Sequence, residues 1–241
     1  MIEIKEGAFL IADAHYSHQR PQLLSLIKDI HSKKLQATQL ILMGDVFDAL
    51  FGDVEYTLEI NAQMIELINE ISEFIEVIYL EGNHDFNLQN VFPKAKVFSI
   101  QNQPVICSYE DKAVCLAHGD FDGELIYKIY THLIRSSITL FILKSLDNLF
   151  NHHILKKLDA YLSKKDDCKE FINFREFIEK RLINRVSCEY FIEGHFHQNR
   201  SIDFENFRYI NLGAFACNQR YFIVKSLQDK ELLEENIFLR S

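Results

Sequence analysis

The feature that most constrains the fold is the alternation of short apolar runs, polar clusters and helical patterns through the first third of the chain. The apolar runs cover 8–12, 40–43 and 77–80. Apolar residues at helical spacing follow over 21–31 and 56–73. This alternation predicts βαβ units, in which parallel strands lie side by side and their carboxyl-terminal turns gather at one edge of a sheet.

Each of these runs ends in polar residues that core packing does not explain. Asp13 and His15 follow the first run, Asp45 and Asp48 follow the second, and residues 82–85, Gly-Asn-His-Asp, follow the third. The third cluster puts an amide oxygen, an imidazole and a carboxylate on one tight turn. Such a turn suits a site that holds a metal ion and also moves a proton. A capped turn is the simpler interpretation of any one cluster taken alone.

Two more clusters of the same kind occur in the second half of the chain. Short strands with turns between them, as in a meander, are predicted at 97–100, 104–107 and 113–116, and strands return at 190–192, 207–210 and 221–224. His118 and Asp120 follow one of these strands, and His195 and His197 follow another. Five such clusters are hard to obtain from independent loops. We therefore expect them to meet in one metal site.

The residue types in the clusters indicate which ions the site would hold. Asp, His and Asn give a mixed nitrogen and oxygen donor set, which fits Mn, Fe or Zn and is too rich in nitrogen for a dedicated Mg or Ca site. The absence of Cys from the clusters argues against a structural zinc site. A carboxylate such as Asp45 can bridge two ions ~3.5–4 Å apart, and such a pair activates a water for displacement at phosphorus.

The ordered motifs Asp-x-His, Gly-Asp-x-x-Asp, Gly-Asn-His-Asp, His-Gly-Asp and Gly-His-x-His span residues 13–197. In this combination the chain resembles the calcineurin-like metallophosphoesterases. The resemblance implies an α/β (α+β) fold, a four-layer αββα sandwich of two mixed sheets with the site at one edge. It implies one domain over 1–241, with a helical insert, or lid, at 124–186, and the activity of a metal-dependent phosphoester hydrolase.

The same resemblance assigns roles to individual residues. One ion is implied at Asp13, His15, Asp45 and His197, and the other at Asp45, Asn83, His118 and His195. His84 would protonate the leaving-group oxygen or stabilise the transferring phosphoryl group, and Asp48 would hold it. Turn capping is the alternative role for Asp48 and Asp85, and it does not exclude the orientation of His84.

The insert differs in character from the rest of the chain. Helices are predicted at about 125–134, 138–150, 153–163 and 168–186. The second is too apolar for a solvated helix and too short to span a bilayer. Residues 124–165 contain seven Lys or Arg and three Asp or Glu, although the whole chain carries a formal charge of −9. A packed lid with solvated lysines explains this pattern, and so does a groove for acyl chains that rests on an anionic membrane surface, here the inner leaflet.

The insert, the total length and the strand end Asn-Leu-Gly-Ala at 211–214 also resemble one branch of the family, the UDP-2,3-diacylglucosamine pyrophosphatases of lipid A synthesis. That branch releases UMP and a diacylated glucosamine 1-phosphate, usually with manganese. Two features depart from it: the main branch has Arg at the position of His84, and its Asn/Ser/Lys-rich substrate stretch has no clear match around 164–168. Tyr127 and Arg135 are the candidate substrate-binding residues.

The N-terminal sequence, the cysteines and the net charge bear on the location and the partners of the protein. The chain lacks the basic start and long apolar run of a signal peptide, and no run approaches the ~18–20 residues of a membrane span. We therefore expect a cytoplasmic protein, peripheral at the inner membrane. Five cysteines without a Cys-x-x-Cys pair predict reduced core thiols. The acidic balance disfavours a nucleic-acid partner.

Two alternatives to the activity implied by the resemblance are kept. One is another nucleotide or lipid phosphodiesterase of the same superfamily. The other is a catalytically silent binding scaffold, which would normally have lost metal ligands.

Overall fold

Two mixed β-sheets of six strands each form the centre of the protein in the computed structural model. The structure describes residues 1–123, 129, 131, 133–136, 139–140, 145, 157, 168–183, 185–226 and 231–239. The strands are β1 (Ile2–Glu3), β2 (Phe9–Ile11), β3 (Gln39–Leu42), β4 (Leu50–Phe51), β5 (Glu76–Leu80), β6 (Asp85–Phe86), β7 (Lys96–Phe98), β8 (Val105–Tyr109), β9 (Lys112–Ala117), β10 (Tyr190–Glu193), β11 (Arg200–Asp203), β12 (Arg208–Asn211), β13 (Arg220–Val224) and β14 (Leu233–Ile237). The described helices are α1 (Gln22–His31), α2 (Glu55–Ile60), α3 (Ala62–Ile71), α4 (Phe174–Leu182) and α5 (Phe215–Asn218), with a 3-10 turn at Ile100–Asn102.

The first sheet has the strand order β14-β13-β2-β3-β5-β7. Its strands β2, β3, β5 and β7 are parallel, and β13 pairs antiparallel with both β2 and β14. Leu40, Ile41 and Leu42 are all fully buried, as in a parallel strand that is covered on both faces. The predicted βαβ units are therefore present, and the polar turns after β2, β3 and β5 lie at one edge.

The second sheet has the order β1-β8-β9-β10-β12-β11. Strands β9, β10 and β12 are parallel, so the turns that begin at His118 and Gly194 lie side by side. The two-residue strands β4 and β6 pair with each other, Leu50 with Asp85, and connect the turns that follow β3 and β5.

The hydrophobic core lies in three layers that separate and cover the sheets. Leu10 and Ile41 of the first sheet share a buried cluster with Leu116 and Ile192 of the second. The outer face of the first sheet is covered by α1 and α3, through clusters that include Leu26 and Ile68. The outer face of the second sheet is covered by α4, whose Phe174 ring lies 6.0 Å from that of Tyr209. The four-layer αββα sandwich is thus confirmed.

Three predicted elements differ from those observed. The helix predicted over 56–73 is broken into α2 and α3 at Asn61, whose side-chain amide donates to the carbonyl oxygens of Ala49 at 3.0 Å and Thr57 at 2.8 Å. The helix predicted from about 168 begins only at Phe174, because Asn173 has left-handed backbone, with φ 59°. The run 97–100 does not join a meander. Its strand, β7, belongs to the first sheet, whereas β8 and β9 pair in the second.

The prediction of reduced core thiols is wrong for four of the five cysteines. Cys115 and Cys188 form one disulfide and Cys168 and Cys217 form another, while Cys107 is a buried free thiol. The bonded pairs are 73 and 49 residues apart in sequence. Only the pairing of strands and the docking of the insert's end bring them together.

Part of the insert lies outside the described residues. These undescribed positions include Tyr127, all of the predicted helix at 153–163 except residue 157, and most of the apolar helix at 138–150. Ile129, Leu133, Arg135 and Leu140 are described, and Leu140 is buried in a small cluster with Val54. Within the part of the chain that the structure describes, no helix is both long enough and apolar enough to cross a membrane.

Candidate metal centre

The turns after β2, β3 and β5 are tied together by hydrogen bonds from the main chain. The N–H of Asp13 donates to Gly44 O at 3.1 Å, and the N–H of His15 donates to Asp45 O at 3.0 Å. The N–H of His84 donates to Asp45 Oδ1 at 2.9 Å. These bonds hold the polar side chains of three strand ends against one another.

The turns of the second sheet approach the same point. The N–H of His195 donates to both carboxylate oxygens of Asp13, at 3.0 and 2.9 Å. His197 Nε2 lies 3.1 Å from Asp13 Oδ1. His118 Nε2 lies 3.5 Å from Asp45 Oδ2. All five predicted clusters therefore meet where the edges of the two sheets come together.

The donor atoms form compact groups, in each of which they lie within 4.8 Å of one another. The groups are Asp13, His15 and His197; Asp45, His118 and His195; and His15, Asp45 and His84. The amide oxygen of Asn83 is 3.4 Å from His118 Nε2, beside the second group. The structure thus brings together all seven side chains named as candidate ligands, with Asp45 shared between groups.

Two of the histidines, His118 and His15, are oriented as metal-binding histidines usually are, with one ring nitrogen facing an acceptor behind the ring. His118 Nδ1 is 3.0 Å from the carbonyl oxygen of Met43. Because a carbonyl can only accept, this contact assigns a proton to Nδ1 and directs Nε2, the nitrogen that would bind a metal ion, toward the centre. His15 Nδ1 lies 3.3 Å from Asp48 Oδ1. This donor set and its orientation fit divalent metal ions.

Five of the seven candidate ligands have left-handed backbone, which is uncommon outside glycine. They are Asp13 (φ 50°), His15 (φ 46°), Asp45 (φ 48°), His195 (φ 61°) and His197 (φ 58°). Each such conformation costs free energy and persists only where its surroundings fix it, most often at functional sites. Candidate ligands therefore make up five of the twelve non-glycine residues with left-handed backbone among the described residues.

Two glycines show how closely the backbone approaches these ligands. A Cβ added at Gly44 would lie 2.4 Å from Nδ1 of His118, and φ of Gly44 is +88°. A Cβ added at Gly194 would lie 2.4 Å from Oδ2 of Asp13. Neither position can accept a side chain unless a ligand moves.

Burial and neighbouring charge set the protonation of the centre. Burial favours the neutral form of Asp45, but His118 and His84 outweigh it and hold the pKa of Asp45 well below its usual range. Burial, and then the charge of His118, lowers the pKa of His195 to about 4. An anionic carboxylate and a neutral imidazole are the forms that bind metal.

The candidate catalytic residue His84 is held by the main chain of Asp48. His84 Nδ1 lies 2.9 Å from the carbonyl oxygen of Asp48, whereas the carboxylate of Asp48 faces His15. The His84 ring is 4.9 Å from that of His15, centroid to centroid. Asp48 therefore contacts both residues, each through a different group.

Asp85 does more than cap a turn. Its carboxylate accepts hydrogen bonds from five donors: the N–H groups of Gly82 (2.9 Å), Asp45 (3.1 Å), Val46 (2.7 Å) and Phe47 (3.3 Å), and the hydroxyl of Tyr79 (2.7 Å). Turn capping accounts only for the bond from Gly82. The other bonds fix the turn after β3 against the turn after β5. Burial and the charge of Asp45 raise the pKa of Asp85 to about 7.

Of the two candidate substrate-binding residues, only Arg135 is described. Its side chain is largely buried, Nη2 donates to the carbonyl oxygen of Gly82 at 2.6 Å, and the guanidinium lies 5.2 Å from the ring centroid of Phe86. Arg135 thus supports the turn that carries Asn83.

Comparison with known proteins gives a consistent family. The family model of the calcineurin-like phosphoesterases matches residues 9–199. Among curated relatives, the UDP-2,3-diacylglucosamine hydrolase of Histophilus somni (strain 129Pt) is 26% identical over 217 residues, which is 87% of this chain and 92% of that protein. The enzyme of the same name from Pseudomonas fluorescens (strain Pf0-1) is 24% identical over 195 residues, 78% of each chain.

Solved structures similar to this chain are more distant. An archaeal phosphodiesterase has a TM-score of 0.48 and 14% identity, covering 96% of this chain and 99% of that one. The Escherichia coli phosphoesterase Yfce has a TM-score of 0.47 and 13% identity, covering 95% of this chain and 98% of that one.

Proposed function

The chain belongs to the calcineurin-like phosphoesterase family and is a metal-dependent phosphoesterase, and on this premise we propose that it cleaves the pyrophosphate of UDP-2,3-diacylglucosamine to UMP and 2,3-diacylglucosamine 1-phosphate. The observation that carries the proposal is the similarity to relatives named for that substrate, which extends over 78–92% of their length. The basic, apolar character of the insert supports a substrate with acyl chains and phosphates.

Two divalent ions, most consistent with Mn²⁺ and also with Fe or Zn, are proposed as cofactors. One would be held by Asp13, His15, Asp45 and His197, and the other by Asp45, Asn83, His118 and His195. When bound, such a pair lowers the pKa of a shared water and neutralises charge at the phosphorus. The chain's own contribution is to hold Asp45 anionic and at least one imidazole neutral in a buried centre.

His84 is the proposed proton donor to the leaving-group oxygen, or a stabiliser of the transferring phosphoryl group. Nδ1 of His84 faces the carbonyl oxygen of Asp48, which can only accept a hydrogen bond. Nδ1 therefore carries a proton in both the neutral imidazole and the imidazolium. His84 can donate a second proton from Nε2 only as the imidazolium.

The insert is the proposed substrate lid, with Tyr127 and Arg135 as contacts. Arg135 Nη1 is buried and has no hydrogen-bond partner among the described residues, and we propose it as a donor to a phosphate oxygen. Ile129 and Leu133 are 52% and 55% exposed and four residues apart, which puts them on one face of a helix. Such a face would contact acyl chains or the inner leaflet of the membrane. We accordingly propose a cytoplasmic protein that acts at this membrane surface and has no nucleic-acid partner.

The proposal is tested by comparing kcat/KM for UDP-2,3-diacylglucosamine and UDP-glucosamine with Mn²⁺ present. Each buried acyl CH₂ contributes roughly 0.8 kcal/mol, so we expect the diacylated substrate to be preferred by orders of magnitude. Equal values would exclude the lipid substrate and leave another nucleotide phosphodiesterase. If the protein hydrolyses neither of these substrates and no simple aryl phosphodiester, only the binding-scaffold alternative remains.

Matched variants connect the preference to the insert. Leu133→Ser should reduce the preference for the diacylated substrate and leave hydrolysis of an aryl phosphodiester nearly unchanged. Ile106→Ser is the control, because Ile106 is 49% exposed but lies on β8, outside the insert. An equal loss of preference in both variants would argue against a lipid-binding insert.

A further inference from the structure

Arg181 of α4 is a buried cation for which the proposed reaction gives no role. Its side chain is 8% exposed. Nε donates to both carboxylate oxygens of Asp122, at 2.7 and 2.9 Å. Nη1 donates to Glu193 Oε1 at 2.5 Å, and Nη2 donates to the carbonyl oxygen of Gly119 at 2.8 Å. All three nitrogens of the guanidinium are therefore engaged, on three different acceptor groups.

Two aromatic rings fix the plane of the same guanidinium. Its central carbon lies 5.0 Å from the ring centroid of Phe121 and 5.1 Å from that of Phe196. A lysine could supply the charge at this position but not the planar set of donors or the stacking. The surroundings of Arg181 are therefore specific for arginine.

The residues that Arg181 binds belong to two segments, and each segment carries a histidine of the same donor group. Gly119 directly follows His118, and Glu193 lies two residues before His195. His118 and His195 share a group with Asp45. Arg181 thus connects the supports of two neighbouring candidate ligands.

These two segments are packed so closely that their spacing determines the separation of the two rings. A Cβ at Gly119 would lie 2.7 Å from Cβ of His195, and the N–H of Gly194 donates to His118 O at 2.9 Å. The imidazole centroids of His118 and His195 are 5.0 Å apart. A small shift of either segment would change the position of both donor atoms.

The ion pair of Arg181 is not explained by stability alone. Glu193 is fully buried, and its Oε1 also accepts a hydrogen bond from the hydroxyl of Tyr209 at 2.7 Å. Removing two charges from water costs free energy that a well-packed apolar pair would not cost. A buried pair is useful where it fixes one geometry, and here the geometry that it fixes is that of two candidate ligands.

We propose that Arg181 is a positioning residue that sets the spacing of His118 and His195, and thereby the affinity of the metal position formed with Asp45 and Asn83. The proposal rests on the proposed two-metal centre but not on the identity of the substrate. Because Arg181 lies on the helix that ends the insert, it also couples the insert to that metal position.

The test is a calorimetric titration of metal-free, full-length protein with Mn²⁺. We expect Arg181→Lys, which keeps the charge but loses the planar donors, to weaken one of the two binding events by about 10–100-fold, as substitutions behind metal ligands usually do. The other event should be weakened by a smaller factor, because its ligand His197 lies two residues beyond His195 and accepts none of the hydrogen bonds described for Arg181. Arg175→Lys is the matched control on the same helix, since Arg175 binds only Asp203 O and the ring of Phe204 among the described residues.

A second variant keeps the proposal testable if Arg181→Lys does not fold. Asp122→Asn leaves the contacts of Arg181 with Glu193 and Gly119 in place, so it should weaken the same event by a smaller factor. Equal weakening of both events, or no change in either variant, would overturn the positioning role. Fewer than two Mn²⁺ bound by the unaltered protein would overturn the two-metal centre and this role with it, whatever the substrate.

Discussion

At the scale of single residues, the proposed chemistry depends most on the carboxylate of Asp45. Its Oδ1 accepts the N–H of His84 and its Oδ2 lies 3.5 Å from His118 Nε2. Asp45 and His15 each belong to two of the three donor groups, but only Asp45 has a carboxylate, whose two oxygens can bridge two ions. Asp85 fixes the main chain on which Asp45 stands, through the N–H groups of three successive residues.

A single variant, His84→Ala, can distinguish a catalytic role of His84 from a role as a metal ligand. We expect His84→Ala to slow turnover by ~10²–10⁴-fold, the usual cost of losing one proton donor or charge-stabilising group, while metal content by elemental analysis stays at two per chain. His31→Ala is a suitable control, because His31 is paired with Glu70 on the helices that cover the first sheet. Loss of one metal equivalent in His84→Ala would show that His84 is itself a ligand.

Metal affinity should rise with pH, because His118 must lose a proton to bind. Burial lowers the pKa of His118, but the charge and hydrogen bond of Asp45, together with the charges of Asp120 and Asp13, outweigh burial and raise this pKa well above 6.5. Below that pKa, Mn²⁺ competes with a proton, so affinity should fall by up to about tenfold per pH unit for each proton displaced. Titrations in buffers of different ionisation enthalpy measure the protons released. An affinity independent of pH would contradict this protonation of His118.

The sequence identified the candidate ligands better than it identified their supports. All seven lie in polar clusters directly after strands, so their spacing indicated the clusters, and the resemblance to the family selected the seven residues within them. The contact from Asp48 to His84 runs through a carbonyl group, which every residue has and no side-chain pattern reveals. Arg181 gave no signal either, since a single arginine on an amphipathic helix is ordinarily solvated.

At the scale of elements, one disulfide ties the end of the insert to the centre. Cys168 lies just before α4, and Cys217 lies on α5. The N–H of Phe215, at the start of α5, donates to Ala12 O at 2.9 Å, and the N–H of Ala216 donates to Asp13 O at 3.1 Å. The bond therefore connects the insert to the strand end that carries the first candidate ligand.

The disulfides make a prediction that separates the observed pairing from reduced thiols. Alkylation of the denatured protein without reductant should label one cysteine per chain, Cys107, and alkylation after reduction should label all five. Cys168→Ser combined with Cys217→Ser should lower the free energy of unfolding by about 2–4 kcal/mol, because the unfolded chain gains freedom. Five labelled cysteines before reduction would instead support the reduced state.

The predicted elements succeeded where burial imposes a strong pattern. Strands β2, β3 and β5 are apolar throughout their central residues because both faces of the sheet are covered. In contrast β14 contains Glu234, Glu235 and Asn236 and forms only because β13 offers it an edge. The pairing of β4 with β6, two residues each, depends on loops meeting in space.

At the scale of the whole molecule, the centre exists because two sheets end at the same place. Three strand ends of the first sheet and two of the second supply the candidate ligands, and the N–H of His195 reaches across to the carboxylate of Asp13. The parallel order of the first sheet followed from the βαβ alternation. The division of neighbouring strands β7 and β8 between two sheets did not, because both are short apolar runs and only tertiary packing separates them.

The most direct test of the proposed centre is an anomalous-scattering measurement on crystals of the Mn²⁺-loaded protein. We expect two peaks ~3.5–4 Å apart with the carboxylate of Asp45 between them. Asp13, His15 and His197 should surround one peak, and Asn83, His118 and His195 the other. A single peak, two peaks that do not share Asp45, or a peak bound by His84 would contradict the arrangement proposed here.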